Sequence, residues 1–135
     1  MKELNIEAKT DNLATVLAFI DEQLEKYNCP LRQKVHLDVA VEELYVNIAR
    51  YAYNPEVGWV KLRISVDDNP LAVSITFMDN GKPYDPLAKK DPDITLSADE
   101  RDIGGLGIYM VKQNMEDVRY EYKNGMNILT IKKNI

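Results

Sequence analysis

Residues 71–86 read "LAVSITFMDNGKPYDP", a strand that stops abruptly at an acidic turn. Leu71, Val73, Ile75 and Phe77 alternate with Ala72, Ser74 and Thr76, the period of a β-strand with one face buried. Asp79 continues the parity of the apolar set, so its carboxylate is expected on the buried side at the strand end. A buried carboxylate needs donors, because leaving such a group unsatisfied costs roughly 1–3 kcal/mol or more. Asp, Asn and Gly are also ordinary turn formers. On this stretch alone, a simple turn and a ligand-holding turn both remain open.

Working outward, "WVKLRISV" (59–66) has the same alternation, with Val60, Leu62, Ile64 and Val66 on one face. It joins the first strand through "DDNP", which predicts a hairpin. The C-terminal "VRYEYKNGMNILTIKK" predicts a second hairpin, turning at Asn124-Gly125, a pair suited to a type I′ turn. Near the N-terminus, Leu4, Ile6 and Ala8 alternate with polar residues and predict an edge strand. Asp11 is placed to cap a helix that carries Leu13, Val16, Leu17, Ile20 and Leu24 on one side and ends near Asn28, before Pro30. A second helix is expected from Leu31 to about Tyr53. Its broad apolar stripe is Leu37, Ala40, Val41, Leu44, Ile48, Tyr51 and Ala52, and a narrower stripe of Val35, Val39 and Val46 lies opposite. Two apolar sides imply a helix held between a sheet and a neighbouring helix or subunit. The tyrosines mostly occupy core-periodic positions and read as packing. Tyr84 to Ile103 is charged, broken by Asp-Pro steps and aperiodic, as a long functional loop would be. Gly104 to Asn114 reads as a helix opened by glycines. Helices before and between hairpins define an α+β two-layer sandwich rather than a regular strand-helix alternation.

Composition excludes several classes. A chain of 135 residues, 45% hydrophobic and 29% charged, fits one domain over 1–135. A net charge of -5 argues against a surface that neutralises nucleic-acid phosphates. Cys29 is the only cysteine, so no intramolecular disulfide framework exists. No apolar run approaches the ~18 residues of a membrane span, and "MKELNIEAKT" lacks a signal-peptide apolar core. The expectation is a cytoplasmic protein with no direct nucleic-acid or membrane partner.

Two further motifs bear on chemistry. In "VEELYVN" (41–47), Glu43 and Asn47 are one helical turn apart at the margin of the apolar stripe, where side chains either face solvent or reach a cleft. An ionised Glu is a candidate general base, and an Asn oxygen is a candidate hard ligand for Mg²⁺. In "GGLGIYMV" (104–111), Gly104, Gly105 and Gly107 permit close backbone approach, and the helix behind them offers free N–H groups to an anion such as phosphate. The stretch lacks the Lys of a Walker A loop.

The three motifs occur in a telling order: a helical E-x-x-x-N, a strand ending D-x-G-x-P, a charged loop, and G-x-G opening a helix. That order resembles the N box and two glycine boxes of the GHKL ATPase superfamily. The phrase "AVEELYVNIARYAY" (40–53) is similar to the anti-sigma-factor serine/threonine protein kinases of the RsbW type. The resemblance runs from about residue 5 to the end and is strongest over 39–53, 79–83 and 104–111. It implies the Bergerat ATP-binding fold, a mixed, mostly antiparallel sheet with helices on one face, and an ATP lid over about 85–103. It also implies ATP and Mg²⁺ as cofactors. Glu43 would be the general base, Asn47 the Mg²⁺ ligand and Asp79 the acceptor for the adenine amino group. Gly81 would approach the base, and Gly104, Gly105 and Gly107 the phosphates. Arg101 would offset charge developing in transfer. Asn127 stands where relatives often place a threonine near adenine; its amide still hydrogen-bonds, so the departure bears on affinity rather than on binding.

The implied function is phosphorylation of a STAS-type anti-anti-sigma protein coupled to sequestration of a sigma factor, with a homodimer expected. The alternative is a nucleotide-dependent binding module of the same fold with little or no kinase activity. A fragment of a larger GHKL machine is disfavoured because no transducer segment is present. His36 is the sole histidine and lies beside the N box inside the domain, which argues against a two-component histidine kinase.

Overall fold

In a computed structural model, which describes residues 1–88 and 106–135, five strands form one sheet in the order β1-β2-β3-β5-β4. The strands are β1 (Lys2–Glu7), β2 (Trp59–Asp67), β3 (Ala72–Asp79), β4 (Asp117–Lys123) and β5 (Met126–Asn134). Every described strand pair is antiparallel. The expected mixed sheet is corrected accordingly: hairpins join β2 to β3 and β4 to β5, and the remaining strands join edge to edge in the same sense. β1 is the edge strand its short alternating pattern predicted, pairing Leu4 with Leu62 and Ile6 with Val60. At the β4–β5 turn Asn124 has φ 54° and Gly125 φ 75°, the left-handed pair that a type I′ turn requires.

Three helices cover one face of the sheet: α1 (Leu13–Lys26), α2 (Leu31–Asn47) and α3 (Leu106–Asn114). Val16, Ile20 and Leu24 of α1, with Leu37, Val41 and Leu44 of α2, meet Val60, Leu62, Ile75, Phe77 and Ile131 of the sheet in one buried cluster. Burying a side chain of this size contributes about 1.5–3 kcal/mol, so this layer supplies the main driving force of the fold. The outer face is polar, with Thr76 and Thr130 hydroxyls 3.2 Å apart across β3 and β5.

Four local expectations are corrected. Asp11 does not cap α1; it lies in a tight turn (Thr10–Asn12) leading into the helix, and the Asn12 amide instead donates to the Glu7 carbonyl at 2.9 Å. The second helix is α-helical only to Asn47 and continues as a π-helical turn over Ile48–Ala52. That wider turn rotates Tyr51 off the buried stripe, leaving it 61% exposed. Val35 and Val39 are also about half exposed, so the second stripe is open to solvent at these two positions, while Val46 is partly buried. The tyrosines are packing residues only in part: Tyr27, Tyr51, Tyr84 and Tyr122 are exposed, Tyr53 and Tyr120 pack against the core, and Tyr45 is fully buried. Its hydroxyl donates to the Lys9 carbonyl at 2.6 Å and ties α2 to the end of β1.

Candidate active site

The open end of the sandwich, where β3 and β5 run out beneath the end of α2, holds a cavity of about 430 Å³, within the range of small-ligand sites. Asp79 and Asn127 form its polar floor, opposite each other in the β3–β5 register. Phe77, Leu129, Leu44 and Ile48 line its apolar interior. Asn47 and the π-turn residues Tyr51 and Ala52 form one wall, and Lys82, Pro83, Tyr84 and Pro86 form another. A mainly apolar lining with a few polar groups suits a heteroaromatic ring.

Asp79 is 3% exposed, as the parity of β3 predicted. Its Oδ1 accepts from the Gly81 N–H at 2.9 Å and from Asn127 Nδ2 at 3.0 Å. Among the described residues nothing donates to Oδ2, which leaves an acceptor for a ligand in the cavity that Asp79 lines. The turn is held from outside by Tyr53, whose hydroxyl accepts from the Asn80 N–H at 3.0 Å. Burial raises the Tyr53 hydroxyl above the ordinary phenol range, so it stays protonated and donates in turn to the Trp59 carbonyl at 2.6 Å.

Gly81 has a reason of its own to be glycine. A Cβ there would lie 2.8 Å from the Ala52 carbonyl carbon and closer still to its oxygen. The Lys82 N–H donates to that same oxygen at 2.9 Å. The close approach that Gly81 allows in this structure is therefore to the π-turn. The turn connects the Asn47 end of α2 to the Asp79 loop, an example of a π segment lying at a site.

Glu43 and Asn47 face the same way from α2, as their spacing requires. Asn47 Nδ2 reaches toward Glu43 Oε1 at 3.4 Å, and among the described residues nothing donates to the Asn47 oxygen. The Glu43 carboxylate lies against Gly107 in the first turn of α3: a Cβ at 107 would overlap it. An acid at a helix N-terminus is in the favourable field of the free N–H groups. The structure thus brings Glu43, Asn47 and Gly107 together; of these Asn47 lines the cavity, as do Asp79 and Asn127, while Glu43, Gly81 and Gly107 lie behind its lining residues. Gly104, Gly105 and Arg101 lie outside the described residues, as does the expected lid beyond Ala88.

Sequence reasoning missed the tyrosines. Tyr51 and Tyr84, 61% and 57% exposed, flank the cavity, and Tyr120 lines it and donates its hydroxyl to Asn127 Oδ1. The hairpin turn held a usable signal: a two-residue turn at 124–125 sets Tyr122 opposite Asn127 and Tyr120 opposite Leu129, all on one face.

An antiparallel sheet covered on one face by helices, with a buried carboxylate at a cavity end and a Glu-Asn pair beside a glycine-led helix, defines a nucleotide-binding domain of the GHKL ATPase fold. The chain belongs to the histidine kinase-like ATPase domain family, whose model matches residues 6–133. It is 25% identical over 134 residues to the serine-protein kinase RsbW of Bacillus cereus, covering 96% of this chain and 82% of the relative. It is 27% identical over 100 residues to the serine/threonine-protein kinase BtrW of Bordetella bronchiseptica, covering 74% of this chain and 70% of that one. The fold matches the crystal structure of the RsbU and RsbW domains of a Mycobacterium tuberculosis protein with TM-score 0.68 at 16% identity. That match covers 99% of this chain and 32% of the longer, two-domain chain. The RsbW-type resemblance carried by the motifs is borne out. No described helix is long and apolar enough to cross a membrane.

Proposed function

We propose that the protein is an ATP-dependent serine/threonine protein kinase that acts as an anti-sigma factor, phosphorylating a STAS-type antagonist in the cytoplasm and sequestering a sigma factor. The observation that carries the reading is the placement of Glu43. Its carboxylate sits where the first turn of α3 meets the Asn47 amide, and Asn47 lines the cavity that Asp79 also lines.

The residues divide the work. Asp79 Oδ2 accepts from the exocyclic amino group of adenine, while Phe77, Leu129 and Ile48 exclude water from the ring. The residues also suit a nucleotide-borne Mg²⁺. Among those described, no group of three or more His, Cys, Asp and Glu converges to hold a metal unaided. The Asn47 oxygen would supply one hard ligand, and Mg²⁺ commonly takes the rest from phosphates and water. When bound, the cation supplies charge neutralisation at the phosphates. Glu43 takes the proton from the serine or threonine hydroxyl as that oxygen bonds to the γ-phosphorus and the bond to ADP breaks. Gly104, Gly105, Gly107 and Arg101 complete the reading at the phosphate end. The open stripe of Leu31, Val35 and Val39 on α2 is apolar surface of the kind used by a protein partner or a second copy.

The test is phosphate transfer from ATP to a STAS-domain protein encoded beside this one, with Glu43→Gln as the control. Incorporation by the parent, reduced about 10²–10⁴-fold in the variant with ATP binding retained, is the expected result. Nucleotide-dependent capture of a partner with no transfer would instead identify a binding module.

A further inference from the structure

Asn127 has no hydrogen-bonding capacity left for a ligand. A side-chain amide carries two N–H donors and two oxygen lone pairs. The Asn127 donors go to Asp79 Oδ1 at 3.0 Å and to the Lys82 carbonyl at 2.9 Å. Its oxygen accepts from the Tyr84 N–H at 3.1 Å and from the Tyr120 hydroxyl. The residue is 7% exposed, so water does not compete for these partners.

The amide orientation follows from its neighbours. Turned over, the NH₂ would face the Tyr84 N–H, and the oxygen would face a carboxylate and a carbonyl. The Tyr84 N–H can only donate, so the amide oxygen faces it, and the Tyr120 hydroxyl then donates to the same oxygen. With the NH₂ thus directed, Asp79 Oδ1 is occupied by Asn127 and by the Gly81 N–H, and the carboxylate plane is fixed with Oδ2 toward the cavity.

We infer that Asn127 and Tyr120 are positioning residues: together they orient the Asp79 carboxylate for an amino-bearing purine, and Asn127 does not itself contact the base. This rests on the ATP-binding reading above and revises the expectation that Asn127 bonds adenine directly. The same amide ties the main chain at Lys82 and Tyr84 to Asp79, so the acceptor and the adjoining cavity wall are set as one unit. Preorganised acceptors of this kind lower the reorganisation needed on binding.

The experiment compares ATP with purine riboside triphosphate, which lacks the 6-amino group, by calorimetry with Mg²⁺ on the parent, Asn127→Leu and Tyr120→Phe. The parent should prefer ATP by about tenfold or more, the scale of a hydrogen bond to a charged acceptor. In Asn127→Leu, ATP affinity should fall to within about threefold of the analogue, whose own affinity should change less than about twofold. Tyr120→Phe keeps the ring and its packing, and should lose about three- to fivefold of the preference. A direct Asn127 contact elsewhere on the base would weaken both ligands equally and preserve the ratio, overturning the inference. If Asn127→Leu fails to fold, Tyr120→Phe decides, and a parental ratio there overturns it as well. A parent that binds neither ligand removes the ATP reading itself and this inference with it, whereas a parent that binds both equally keeps ATP binding and overturns the amino-group contact on which the inference rests.

Discussion

Replacing Gly107 with alanine tests the Glu43 assignment more sharply than removing Glu43 does. The added Cβ would sit 2.5 Å from Glu43 Oε2 and closer to Oε1 and Cδ, whereas ordinary contact begins at 3.4 Å. The carboxylate must therefore retreat by about 1 Å, which a flexible glutamate end does at small energetic cost. Alanine is also the better helix former, by about 0.8–1.0 kcal/mol in a helix interior and by less in a first turn. Stability should then be unchanged or slightly higher. A displacement of about 1 Å in a proton acceptor is enough to cost about 10²-fold in rate, roughly 2.7 kcal/mol of barrier. Phosphate incorporation into the partner protein and ATP titration should be measured for the parent, Gly107→Ala, Glu43→Gln and the double variant. If the methyl acts through the base, the double variant should transfer no more slowly than Glu43→Gln alone. Losses that multiply would show that the methyl acts on the phosphates or main chain, and the link from Gly107 to Glu43 would be refuted.

Asp79→Ala should fold and lose about 1.5–3 kcal/mol of ATP binding, roughly tenfold to hundredfold by calorimetry; unchanged affinity would remove Asp79 as the base acceptor. Asn47→Ala should weaken Mg²⁺-dependent ATP binding and transfer together while leaving Mg²⁺-free binding nearly unaltered, which distinguishes it from Glu43→Gln. Away from the site, Asp38 has its carboxyl raised from 3.8 to about 6 by burial and by a hydrogen bond shared with Asp21, against the opposing pull of Lys34 at 3.1 Å. The folded state therefore holds a proton more tightly than the unfolded one. This contribution to stability is complete below about pH 4 and is lost as pH rises through about 6. Asp38→Asn keeps a permanent donor for Asp21 and should flatten that loss, about 1 kcal/mol after solvent screening, in melts at pH 4.5 and 7.5; a variant with the parental pH slope would contradict it.

The layers of the fold were legible because one buried face leaves a period in the sequence. Val60, Leu62 and Ile64, then Val73, Ile75 and Phe77, alternate on β2 and β3, and all are buried. Asn124-Gly125 fixed the last hairpin because few other residue pairs take two left-handed conformations in succession. The Glu43-Asn47 pair was equally legible, since a separation of four residues places two side chains on one helix face wherever the helix lies. The π-turn was not. Its composition, "IARYA", is unremarkable for an α-helix, and the widening shows only in how Ala52 meets Gly81, 29 positions away in sequence. Tertiary placement also turned Val35 and Val39 outward, because α1 and the sheet cover only one side of α2.

Glycines and amides explain why the roles of single site residues resist reading from sequence. A glycine announces that something comes close without saying what. The resemblance assigned Gly81 to the base and Gly107 to the phosphates, whereas the nearest groups among the described residues are the Ala52 main chain and the Glu43 carboxylate. Those approaches do not exclude a ligand beside them, but they give each glycine a requirement that holds before any ligand arrives. Asn127 is the complementary case. Its type declares two donors and two acceptors, and the sequence cannot tell whether they meet adenine or protein, because Asp79 and Lys82 belong to β3 and its turn, Tyr84 to the cavity wall and Tyr120 to β4. Only the β3–β5 and β4–β5 registers together bring all four partners to one amide. On the reading proposed above, the acceptor oxygen offered to a purine is thus specified by three strands and a loop, and the residue that most looks like a ligand contact acts by holding another in place.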